Sequence, residues 1–203
     1  MQTLAELITY LQENGRLKSP RILDAFQAID RIRFLIPEVQ HIAYGDFPLR
    51  IGHEQTISQP STVAIMLEEL QAEPGNRILD IGSGSGWTTA LLAHMVGLNG
   101  KVYGTEIIPD LVRLGQSNLS QFQFPWARID MASQQLGRPH EVFDKILVSA
   151  AAHHLPLALL SQLKPNGRLV IPVNTAIMIV DKDENGDLKT KQIEGFRFVP
   201  LIL

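Results

Sequence analysis

With 203 residues, 45% of them hydrophobic and 19% charged, the chain is long enough for one well-buried core and short for two. A formal net charge of -3 without a basic block excludes affinity built on nucleic-acid phosphates. The absence of cysteine excludes disulfides, thiolate catalysis and cysteine metal sites, and fits a reducing compartment. The N-terminal MQTLAELITYLQENG carries acids and no basic region ahead of an apolar stretch, and no later run approaches about 18 apolar residues. A cytoplasmic protein without a membrane partner is expected. Leu4, Leu7, Ile8 and Leu11 recur at helical spacing, Asn14-Gly15 breaks the run, and a second helix is predicted from Pro20 through Ile29. This helical preface leads to GHEQTISQPSTVAIML (52–67), a polar run stopped by Pro60 and followed by an apolar helical pattern.

From Arg77 the pattern alternates. RILDI reads as a buried strand, GWTTALLAHMVG as a helix closed by Gly97, KVYGTE as a strand, and PDLVRLGQSNLSQ as a helix with Pro109 in its first turn. DKILVS and GRLVIPV are further strands with LPLALLSQL between them as a helix, and Asn185-Gly186 between AIMIVD and LKTKQI marks a hairpin. The predicted fold class is α/β: a doubly wound, mostly parallel Rossmann-like sheet with a C-terminal antiparallel hairpin and an N-terminal helical preface. One domain is expected over 1–203, with the preface at 1–50, the core at 51–175 and the hairpin with a terminal strand at 176–203.

The central motif is ILDIGSGSGW (78–87). A strand runs into Gly82, Gly84 and Gly86 and a helix then begins, so backbone approaches a ligand closely at the carboxyl end of the strand. A dinucleotide fingerprint needs its third glycine where this chain has Trp87, and its loop holds a pyrophosphate on a helix N-terminus. Here the spacing is G-x-G-x-G with Asp80 before it, a form that resembles the first motif of class I S-adenosylmethionine-dependent methyltransferases. That resemblance implies S-adenosyl-L-methionine as cofactor, whose ammonium and carboxylate ask for close backbone and a nearby negative charge. Glu106, about 20 residues past the loop, ends the second strand, where a carboxylate accepts from both hydroxyls of a ribose.

AYGDFPLRIGHEQTISQP followed by RILDIGSGSGW resembles the protein-L-isoaspartate O-methyltransferase family, as do VYGTEII, FDKILVSAAA, LKPNGRLVIPV and the terminal FRFVPLIL. The likeness covers nearly the whole chain from Arg31. It implies an enzyme that methylates the α-carboxylate of isoaspartyl residues in damaged proteins and peptides, the ester then collapsing to a succinimide that reopens partly to normal aspartate. By the same resemblance Thr56, Ile57 and Ser58 lie over the cofactor and close the acceptor site, with Ser58 as the active-site residue. Gln55, Thr56, Asp80, Gly82, Ser83, Gly84, Gly86, Glu106 and Asp130 are the expected cofactor residues, and Ala150, Ala151, Val199 and Leu201 walls of the acceptor groove. A carboxylate acceptor is already ionised at neutral pH, so Ser58 is assigned to positioning rather than to base or covalent catalysis.

From the residues alone, Ser58 or Thr56 capping the helix at Pro60 is the commoner role; with the flanking residues, the site reading leads. Three departures from the family pattern stand out. Asp130 is flanked by Ile129 and Met131 where the family has glycines to hold adenine, Glu54 precedes QTIS where a small residue is common, and His153-His154 replace a proline. No metal is expected, since adjacent histidines in an extended loop point apart and no third ligand has supporting spacing. The rivals are a methyltransferase for another small-molecule or protein acceptor and a catalytically silent cofactor-binding module. A monomer with no nucleic-acid partner is expected.

Overall fold

The computed structural model describes residues 1–202. Helices α1 (Leu4–Glu13) and α2 (Pro20–Ala28) form the preface. Thr3 caps α1 by accepting from the Glu6 amide, and Pro20 opens α2 at a position where a helix needs no N–H. Leu7, Ile8 and Leu11 of α1 and Ile22, Ala25 and Phe26 of α2 are buried, the spacing of one helical face. Two 3-10 turns, Arg31–Phe34 and Pro37–Ile42, carry the chain to an antiparallel pair, β1 (Leu49–Gly52) and β2 (Gln55–Ile57). Helix α3 (Pro60–Leu70) follows directly.

The main sheet contains β3 (Arg77–Ile81), β4 (Lys101–Glu106), β5 (Ala127–Met131), β6 (Phe143–Val148), β7 (Leu163–Val173), β8 (Ala176–Lys182) and β9 (Leu188–Glu194). Its order is β5-β4-β3-β6-β7-β8-β9. The first five positions pair in parallel, while β8 is antiparallel to both its neighbours. From β3 the chain moves outward to β4 and β5, and it returns to the other side of β3 with β6. Ligands of open α/β sheets sit beyond the strand ends at such a reversal. Helices α4 (Trp87–Val96) and α5 (Pro109–Leu119) pack with α1, α2 and α3 on one face, in a core running from Leu7 to Ile179.

The opposite face is thinner. It is closed by α6 (Leu157–Leu160) over Leu79, Ile146, Val148 and Ile171. The helix expected over LPLALLSQL is thus a single turn, because β7 begins already at Leu163. FRFVPLIL forms no regular strand over its described residues. It meets the sheet at one parallel bridge, Ala151 to Pro200, and Pro200 has no N–H with which to continue a ladder.

Candidate functional site

The glycine loop joins β3 to α4. Gly82, Gly84 and Gly86 have φ of 74°, 52° and 89°, a left-handed region that side chains rarely tolerate. Their turns press the loop against the end of β4. The amides of Gly82 and Ser83 donate to the Thr105 carbonyl at 2.9 and 3.1 Å, and Gly86 N–H donates to the Ser83 carbonyl at 2.8 Å. Gly84 N–H donates to Glu106 Oε2 at 3.0 Å, while Glu106 Oε1 accepts from the Ile107 and Ile108 amides at 2.7 and 3.0 Å. Three backbone donors therefore fix this nearly buried carboxylate in one orientation.

Asp80 is fully buried. Its Oδ2 accepts from the hydroxyls of Thr88 and Thr89 at 2.8 and 2.6 Å, and its Oδ1 has no partner within the described chain. Burial pushes its carboxyl up to about 6; the two hydroxyls act in the opposite direction, and the charge of Glu106 adds to the rise. Ser83 Oγ is likewise buried and without a partner.

Above the loop lies a cavity of about 350 Å³, the scale of a small-molecule site. Its floor is Gly82 to Ser85 and Glu106. One side is the β1–β2 hairpin and its exit, with Ile51, Gln55, Thr56, Ile57 and Ser58, and another is Ala132 to Gly137. Ala150, Val199 and Leu201 complete the wall. Residues as distant in sequence as Gln55, Glu106 and Leu201 thus face one space.

Four of the expected site residues stand outside that wall. Asp80 turns to the start of α4 through its threonine bonds. Gly86 is a packing position, since a Cβ there would lie 3.0 Å from both the Gly115 carbonyl and Ile129 Cδ1. Ala151 holds the terminal segment, donating to the Val199 carbonyl and accepting from Leu201 N–H, both at 2.8 Å. Asp130 Oδ2 is taken by Arg128 Nε and Arg138 Nη1 at 2.9 and 2.7 Å, and the wall beyond β5 is built by the residues that follow it. Trp87, which opens α4, is buried, donates from Nε1 to the Ile29 carbonyl and also lines the cavity. Glu54 is exposed at the hairpin tip, away from the wall, next to His53, whose Nε2 lies 3.0 Å from Asp110.

Neither Ser58 nor Thr56 caps α3. The N-cap residue is Gln59, and the cap is supplied by Asp46, whose Oδ1 accepts from Ser61 N–H at 2.8 Å. Asp46 Oδ2 takes the Ser61 hydroxyl at 2.5 Å and Gln59 Nε2 at 3.0 Å. A carboxylate at this end also suits the helix dipole. Sequence reasoning missed Asp46 because it acts from 15 residues upstream, where no local spacing rule applies.

A family model described as protein-L-isoaspartate(D-aspartate) O-methyltransferase matches residues 2–203. A protein-L-isoaspartate O-methyltransferase of Methanococcoides burtonii is 40% identical over 97% of this chain and 98% of its own. One from Methanopyrus kandleri is 38% identical over 97% of this chain and 89% of its own. A Plasmodium falciparum crystal structure, described as an isoaspartate O-methyltransferase in complex with S-adenosyl-L-homocysteine, superposes with a TM-score of 0.87 at 28% identity, covering 97% of each chain.

Proposed function

This chain belongs to the protein-L-isoaspartate(D-aspartate) O-methyltransferase family, and we propose that it transfers the methyl group of S-adenosyl-L-methionine to the α-carboxylate of isoaspartyl residues in damaged proteins and peptides. The observation that carries this reading is one shared cavity, whose floor is the glycine loop with Glu106 and whose rim is Thr56 to Ser58 with Val199 and Leu201. The floor suits the cofactor on two counts. Gly84 would bring a Cβ within 3.2 Å only of Ile51 Cδ1, so the open space above it is left for a ligand. Ser83 Oγ, buried and without a partner among the described residues, would pair with a polar group of the ligand.

When bound, the cofactor supplies an electrophilic methyl on a sulfonium. The backbone of Gly82 to Gly84 and the Ser83 hydroxyl would hold its methionine end, with the negative charge of Asp80 beneath. Glu106, fixed by three amides, keeps lone pairs for a ribose diol. Gln55 and Thr56 close over it from the hairpin.

The acceptor carboxylate needs no base, being ionised at neutral pH. What it needs is alignment and exclusion of water. Ser58 makes no hydrogen bond through its hydroxyl to the described chain, so that hydroxyl is available to donate to the carboxylate. Ile57, Ala150, Val199 and Leu201 offer an apolar wall. Once formed, the ester loses methanol as the neighbouring backbone nitrogen closes a succinimide, and water reopens the ring partly to normal aspartate. Glu54 is exposed and outside the cavity lining, which supports an anionic acceptor over a substrate chosen to avoid its charge.

The reading is of one domain acting as a monomer in the cytoplasm. Among the described residues no helix is long and apolar enough to cross a membrane, and the lack of cysteine suits a reducing compartment. The test compares methyl transfer from labelled S-adenosylmethionine onto an isoaspartyl peptide and its normal aspartyl counterpart, for the native chain and Ser58→Ala. Transfer confined to the isoaspartyl peptide, and about tenfold slower in the variant, is expected for the loss of one positioning hydrogen bond. Cofactor binding without transfer to either peptide would refute it in favour of a silent module or another acceptor.

A further inference from the structure

Arg31 is the largest side chain that the fold buries completely, and its bonds lead to the acceptor side of the cavity. Nη1 donates to the carbonyls of Ala43 and Gly45 at 2.7 and 3.3 Å, and Nη2 donates to those of Phe47 and Ser58, each at 3.0 Å. The guanidinium lies over the Trp87 ring, 5.5 Å from its centroid. Burial pulls its pKa down to about 10, against the opposing charge of Asp46, so it remains a cation at neutral pH.

Stability alone is a poor reason for this arrangement. A buried charge is costly to desolvate, and apolar replacements of buried ionic groups are often neutral or stabilising. Here the cost is raised by Nε, which is buried without a partner among the described residues. What the fork does achieve is geometric: it grips the chain on both sides of Asp46, at Gly45 and Phe47, and also grips Ser58. Asp46 in turn grips Gln59 and Ser61. Ser58 is thus held through its own carbonyl from one side and through the next residues from the other.

We infer that Arg31 and Asp46 are positioning residues that set where Ser58 stands against the acceptor carboxylate. The inference rests on the methyl-transfer reading above. A lysine at position 31 keeps the charge and loses the planar fork; an asparagine at position 46 keeps one acceptor and loses the other. Both Arg31→Lys and Asp46→Asn are expected to lower kcat by up to about tenfold, the loss that removal of the Ser58 hydroxyl itself brings. The Kd for S-adenosylhomocysteine should move less than about threefold, because the glycine loop and Glu106 lie outside the clamp. Ile22→Val, which loosens the preface core without touching the clamp, should leave kcat unchanged.

Two further measurements separate positioning from mere support. In a Ser58→Ala background the loss from Arg31→Lys should shrink to less than about threefold, since groups acting through one another are not additive; a fully multiplicative loss overturns the inference. Amide exchange should quicken at residues 57–61 in both variants and stay unchanged at 82–86. Unchanged exchange at 57–61 overturns the clamp whether or not the enzyme methylates. Failure of the native chain on isoaspartyl peptide would instead refute the functional reading. If Arg31→Lys does not fold, Asp46→Asn, whose residue is half-buried, carries the kinetic and exchange comparisons.

Discussion

Asp80 runs against the usual pH dependence of a structural carboxylate, and replacing it by asparagine should remove that dependence. Its carboxyl is raised from 3.8 to about 6 by complete burial. Between those values the folded chain holds a proton that the unfolded chain has lost, so stability falls as pH rises from about 4 through 6 and stays low above. At about 1.4 kcal/mol per unit, the charged carboxylate costs on the order of 3 kcal/mol at neutral pH. Asparagine removes that cost and keeps an oxygen for Thr88 and Thr89, but it puts an amide where Oδ1 has no partner. An unmet buried donor costs about 1–3 kcal/mol, so the absolute gain at neutral pH is small. The pH dependence of the difference is cleaner, because the amide's penalty does not titrate. Urea unfolding of both proteins at several pH values should show the variant gaining about 2–3 kcal/mol on the native chain between about pH 4 and pH 7. Its affinity for S-adenosylmethionine should fall about tenfold with the lost charge. A stability difference flat with pH would refute the raised carboxyl, and undiminished affinity would refute its electrostatic role.

Glu106→Gln leaves at least one of three backbone donors unmet; it should cost about 1–3 kcal/mol, lower the melting temperature by several degrees and weaken cofactor binding at least tenfold. Calorimetric titration with S-adenosylhomocysteine checks this, and native affinity would contradict it. Gly86→Ala forces a side chain onto φ 89° and into contacts of 3.0 Å; a loss of about 2–4 kcal/mol is expected in thermal unfolding, and an unchanged melting temperature would count against that crowding. Glu54→Gly relieves a non-glycine residue at φ 59° and should stabilise by up to about 1 kcal/mol. The KM for isoaspartyl peptide should not move, because Glu54 is outside the cavity wall; a change would place it in acceptor recognition.

The parallel core was legible because buried parallel strands are apolar runs with glycine or proline at their ends, as in RILDI before Gly82 and KVYGTE before Pro109. Asn185-Gly186 likewise announced the β8–β9 hairpin. The β1–β2 hairpin was not announced. Its strands are four and three residues long, and its turn places His53 and Glu54 at φ 52° and 59°, a conformation that sequence patterns associate with Asn-Gly. Arg31 and Asp46 were invisible for another reason: each acts on carbonyls or amides more than ten residues away, and such partners obey no period. Capping by Ser58 was the natural local expectation, and it failed because Asp46, remote in sequence, already occupied the helix end.

The two sides of the cavity are held differently, and the chemistry accounts for it. The glycine loop is fixed by four backbone donations, to Thr105, Ser83 and Glu106, which suits a cofactor that never varies. The stretch Val199 to Leu201 facing it is tied, among the described residues, by two backbone bonds, both through Ala151. An isoaspartyl residue is a defect of the backbone that arises among arbitrary side chains, so its site gains nothing from a wall shaped to one sequence. What must not vary is the place of the carboxylate relative to the methyl group, because alignment is the largest contribution this chain can make to a reaction that needs no base. On that argument the rigid element on the acceptor side should be Ser58, which is where Arg31 spends its buried charge and Asp46 its helix cap.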